Sequence, residues 1–86
     1  MATEEQIKLA ARLYKCRDTA KSFLGIKYSE KMAVYQKYIK AAMVKHNTDD
    51  EITATMKMAK DVDADGMTVM LLMAACVEMI EPSKAS

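Results

Sequence analysis

The segment Met-Thr-Val-Met-Leu-Leu-Met-Ala-Ala-Cys-Val-Glu-Met-Ile, residues 67–80, is apolar around nearly its whole helical circumference, with Glu78 as its single charge. A helix without a polar face belongs inside a core or an interface, because every side left in water is apolar surface unburied. Its unbroken apolar run, residues 69–77, has nine residues, about half of the ~20 a membrane helix needs. No membrane span and no membrane partner are therefore expected, and the cover has to be protein. Within 86 residues there is room for about three more helices, and a domain of this size buries only about two-thirds of the surface its unfolded chain exposes. The sequence thus predicts a compact, all-α, four-helix domain that self-associates, as a dimer formed partly through this helix. Met67, Met70, Leu71, Met73, Ala74 and Val77 are its expected protein-binding residues, and Leu72→Glu is expected to disrupt association or folding.

The punctuation of the chain sets the other helices. Thr3 and Gln6 form a capping-box pattern, in which the hydroxyl accepts from an orphan backbone N–H and the amide reaches back to the cap. From there Leu9, Leu13, Cys16, Ala20 and Phe23 follow steps of four and three and predict one apolar face, flanked by Lys8, Arg12 and Lys15 on one side and Arg17 and Lys21 on the other. Ser29 is the expected cap of a second helix whose inner face is Met32, Tyr35, Ile39, Ala42, Met43 and His46. Thr48-Asp49-Asp50-Glu51 reads as a capping box with three carboxylates at the positive end of a third helix, with Ile52, Met56 and Ala59 inward. Asp65 is placed to cap the fourth, which Pro82 stops. The expected helices run over about 4–24, 30–46, 49–60 and 66–81 of a single domain, 1–86.

Two Gly, one Pro and 51% hydrophobic residues exclude a collagen-like, low-complexity or disordered chain. Cys16 and Cys76 stand far apart with the lone His46 between them, a spacing that fits no zinc or Cys-x-x-Cys motif. Both cysteines fall on apolar stripes and read as small buried hydrophobes. The opening Met-Ala-Thr-Glu-Glu lacks the basic-then-apolar order of a signal peptide, so a cytoplasmic location is expected. No phosphate-binding glycine loop, nucleophile elbow or metal-spaced cluster occurs. Catalytic residues, cofactors and enzymatic activity are not expected.

Asp61-Val-Asp63-Ala-Asp65-Gly66 resembles the first half of an EF-hand calcium loop, in which alternate carboxylates converge on a hard cation and the glycine permits the tight turn. The resemblance covers six residues and implies a degenerate calcium site of Asp61, Asp63 and Asp65. It departs from the family at the twelfth loop position, which is Leu72 in place of a bidentate glutamate, and at the eighth, which is Thr68. Lys57 and Lys60 also stand where the family's incoming helix is apolar. The competing reading is that the aspartates favour the N-terminus of the fourth helix, with Asp65 as cap.

Residues 1–46 carry ten Lys/Arg against four Asp/Glu, a net +6, and residues 47–86 carry three against eight, a net −5. The cations of the first half, Lys8, Arg12, Lys15, Arg17, Lys21, Lys27, Lys31, Lys37, Lys40 and Lys45, offer an alternative function in nucleic-acid binding, with Lys8, Arg12, Lys15, Lys37 and Lys40 as its core and Tyr28, Tyr35 and Tyr38 for base stacking. The fourth helix, which has no cation, cannot read a groove. Nine methionines favour an adaptable apolar surface. The leading expectation is a small non-catalytic protein-binding or regulatory module, an inhibitor or adaptor, acting through helix surfaces.

Overall fold

The structure, a computed structural model, describes residues 3–83, less the side chains of Gln6, Ile7 and Ala10. Its elements are α1 (Glu4–Leu24), a 3₁₀ turn (Gly25–Lys27), α2 (Tyr28–Lys45), α3 (Glu51–Asp61) and α4 (Gly66–Ile80). No strand occurs among the described residues. Helix α1 begins directly after Thr3; the Gln6 side chain that would complete its capping box lies outside the described residues.

The first junction differs from expectation. Gly25 ends α1 with φ +56°, a left-handed value open to glycine at little cost. The chain then passes through the 3₁₀ turn into α2 without a gap, so α1, turn and α2 form one continuous helical run bent at the glycine. Ser29 is consequently not a cap. The N-cap position falls on Lys27, which makes no side-chain cap bond, and the Tyr28 N–H is taken by the Gly25 carbonyl. Backbone partners already satisfy donors that a capping hydroxyl would otherwise serve.

Helices α2 and α3 end alike. Beyond α2, Thr48 N–H bonds Met43 O at 3.0 Å and Asn47 N–H bonds Val44 O at 3.2 Å. Beyond α3, Ala64 N–H bonds Ala59 O at 2.9 Å and Asp63 N–H bonds Lys60 O at 3.1 Å. Both are Schellman closures whose left-handed residues are Asn47 and Asp63, at φ 51° and 50°. Because Thr48 finishes α2, the cap of α3 moves on to Asp50, whose carboxylate accepts from Ile52 N–H at 3.1 Å and Thr53 Oγ1 at 2.7 Å. The expected Thr48–Glu51 capping box is replaced by this arrangement, with Thr48 Oγ1 accepting from Asp50 N–H. Asp65 caps α4, accepting from Thr68 N–H at 2.7 Å.

Helix α4 is the axis of the molecule. It packs against α1, α2 and α3, whereas among the described residues α1 and α2 meet only sparsely and α1 does not reach α3. The core gathers Leu71, Ala74, Ala75 and Cys76 from α4, Ala20 from α1, and Met32 and Ile39 from α2. Alanines at the crossings let the backbones approach closely, and Ile39, Thr55 and Cys76 are enclosed completely. The radius of gyration, 12.6 Å, is near the ~12 Å of a compact chain of this length.

Two inner faces are rotated from their expected positions. On α1, Leu13, Arg17, Ala20 and Leu24 turn inward while Leu9 and Phe23 are exposed. On α3, Ala54 and Thr55 are buried and Met56 is 55% exposed. Thr55 tolerates burial because its hydroxyl donates to Glu51 O at 2.7 Å.

Candidate functional site

The residues assigned to protein binding on α4 divide between core and surface. Leu71, Ala74 and Val77 are buried within the chain's own core, as is Leu72; Met70 and Met73 are half-buried and Met67 is exposed. They do not make one exposed face, because three helices pack around α4 and take its middle turns. An open apolar groove lies between α3 and α4. Val69 and Met73 of α4 and Met56 and Ala59 of α3 line this groove of about 650 Å³, which Ala64 also borders. Its walls are mostly carbon, while Lys57, Lys60 and Asp63 belong to its polar lining. Met56 reaches this groove because α3 turns Ala54 and Thr55 to the core instead.

A second cluster surrounds Glu78, the lone charge of α4. Its carboxylate accepts from Tyr28 Oη, from Ser83 N–H at 2.6 Å and from Ser83 Oγ at 2.7 Å, and Arg17 Nη1 stands 3.8 Å away. Arg17 Nη1 also donates to Glu81 O at 2.7 Å, and its guanidinium lies 4.9 Å from the Tyr14 ring centroid. Burial pushes Glu78 up, but the hydrogen bonds from Tyr28 and Ser83 and the Arg17 charge outweigh it, holding the carboxyl below its ordinary value. Burial and the same hydrogen bond drive the Tyr28 phenol well above its usual range. These contacts pin the C-terminal end of α4 and the segment through Ser83 onto α1 and α2. The apolar stripe expected from the sequence leaves Arg17 on its flank. The available signal was its alternative 13-17-20-24 spacing together with a carboxylate that needed a cation.

The three aspartates of the calcium expectation are spent separately. Asp61 Oδ2 meets His46 Nε2 at 3.0 Å and Lys45 Nζ at 3.4 Å, Asp63 closes α3 with its left-handed backbone, and Asp65 caps α4. The bond from Lys45, with lesser help from His46, lowers the Asp61 pKa, and the Thr68 bonds lower that of Asp65. Among the described residues no group of three or more His, Cys, Asp or Glu is placed to hold a metal ion. Cys16 and Cys76 are free thiols whose pKa values burial raises, which suppresses the nucleophilic thiolate.

Of the cations assigned to nucleic acid, Lys8, Arg12, Lys15, Lys37 and Lys40 are exposed. Lys8 is 3.6 Å from Glu4. Tyr28 is engaged by Glu78 and Tyr35 packs on the core, so Tyr38 is the member of the stacking set that stays exposed, at 56%. No helix among the described residues is long and apolar enough to cross a membrane. Comparison with protein-family models, with curated proteins and with solved structures gave no match to this chain.

Proposed function

We propose that this chain is a non-catalytic protein-binding module, a regulator or adaptor, whose first partner is a second copy of itself seated at the α3–α4 groove. The groove carries the reading: Met56, Ala59, Val69 and Met73 present an apolar trough at the surface of a domain too small to hide all its apolar residues. Methionine suits such a surface because its unbranched side chain repacks at low cost. The charges at the groove favour a like copy. Lys57 and Asp63 of the lining carry opposite charges, so a two-fold arrangement that sets Lys57 of each copy against Asp63 of the other adds charge pairing, provided the two Lys60 side chains extend away from the axis into water.

The test is the native mass across a concentration series, measured by light scattering, for the wild type and Met56→Glu. Met56 is exposed in the single chain, so the substitution leaves helix content unchanged. The expected result is a dimer for the wild type and a monomer for the variant. A wild type that stays monomeric at hundreds of micromolar, or a variant that dimerises equally well, overturns the groove as a self-association site.

A further inference from the structure

The outer face of α2 carries a pattern that neither the core nor the groove uses. Lys27, at the end of the 3₁₀ turn, is followed by Lys31, Val34, Tyr38, Ala41 and Lys45 at steps of four, three, four, three and four, and all six are exposed. This is the a/d spacing of a helix-pairing seam. It flanks the buried Met32, Ile39 and Ala42, and its C-terminal half, Tyr38, Ala41 and Lys45, borders Met58 and Asp61 of α3 and Val62 just beyond it. Its middle is apolar, with Val34 41% and Tyr38 56% exposed, and its ends are cationic. No carboxylate occupies a seam position; the one acidic residue in the first turn of α2, Glu30, sits off it.

We infer that this seam docks an acidic amphipathic helix of another protein, one whose apolar a/d stripe is bracketed by carboxylates two heptads apart. The spacing follows from Lys31 and Lys45, fourteen residues apart, or about 21 Å along a helix at 1.5 Å per residue. Lys45 is already 3.4 Å from Asp61, but both side chains are open to water, and such a pair exchanges for another carboxylate at little cost. A phosphate backbone leaves the apolar middle of the seam, Val34 and Ala41, without a partner; Lys37, exposed beside them, could still meet phosphate, so an oligonucleotide is one arm of the test. The seam belongs to a different helix face from the α3–α4 groove, so a dimer formed through the groove would carry two such surfaces and act as a bridge.

The experiment follows backbone amide shifts of the full chain on titration with two synthetic helical peptides. They share leucines at a and d over two heptads and differ in carrying glutamates or lysines at the bracketing positions. The glutamate peptide is expected to move amides along residues 31–45 and to bind at least about tenfold tighter than the lysine peptide, with affinity falling as salt screens the end charges. Tyr38→Glu is expected to cost about tenfold in affinity while leaving the spectrum of a folded chain. Shifts confined to α3 and α4, equal binding of the two peptides, or no shifts at all overturn the inference. So does tighter binding of a single-stranded oligonucleotide or of phosphatidylserine vesicles than of the glutamate peptide.

Discussion

Glu78→Gln removes one charge while keeping the side chain's shape, and it tests whether the cluster at the end of α4 is held by ionic hydrogen bonding. The wild-type carboxylate accepts from Tyr28 Oη, Ser83 N–H and Ser83 Oγ with Arg17 at 3.8 Å. In the variant the amide oxygen keeps Ser83 N–H and the amide nitrogen donates to the two hydroxyls, which rotate to accept and turn their own protons toward water, since Tyr28 and Ser83 are both only partly buried. The loss is the charge assistance, about 1 kcal/mol per bond as the difference between charged and neutral hydrogen bonds. Ser83 is half-exposed, which discounts its share, and Arg17 keeps the Glu81 carbonyl. The sum is about 2 kcal/mol, a sizeable part of the 5–10 kcal/mol on the order of which a domain this small is stable. The pH dependence carries the sign. With its folded pKa below its unfolded value, Glu78 contributes fully above the unfolded value, roughly pH 4.3, and the contribution disappears as pH falls through the folded value. Denaturant unfolding of both proteins between pH 2.5 and 7 should therefore show a gap of about 2 kcal/mol at neutral pH closing toward zero in acid. A gap that is absent at pH 7, or that stays constant down to pH 2.5, refutes the argument.

Two further outcomes follow from the helix ends and the central helix. Leu72→Glu, at a position 4% exposed inside the chain's own core, should abolish the cooperative thermal transition by burying an unpaired charge; retention of a cooperative melt with only a change of mass would place Leu72 at an interface instead. Asp50→Ala removes the acceptor of Ile52 N–H and the Thr53 hydroxyl and should lower stability by about 1 kcal/mol, whereas Thr48→Ala should cost less because Thr48 is not the cap; chemical denaturation that ranks them the other way contradicts the assignment.

The sequence by itself determined that the chain is all-helical and that the segment around residues 67–80 is the one that most needs cover, because periodicity and hydrophobicity act along the chain and need no knowledge of neighbours. It likewise determined where α4 starts and stops, since Asp65 supplies a local acceptor for an N–H three residues on and Pro82 removes a donor. The tertiary structure decided what lies between surfaces. Two rotations of α1 were nearly equivalent in apolar pattern, and the one chosen brings Arg17 to Glu78 and leaves Phe23 in water; a charge buried on a different helix broke the tie. The face of α3 was settled by packing, which buries Ala54 and Thr55 and leaves Met56 lining the groove, while Thr48 is consumed in closing α2 and the cap passes to Asp50. The fate of α4's own side chains was also a three-helix question: Leu71, Ala74 and Val77 are covered while Val69 and Met73 still line the α3–α4 groove, because how much of an apolar helix is hidden depends on how its neighbours cross it, a quantity that no stretch of the chain encodes alone.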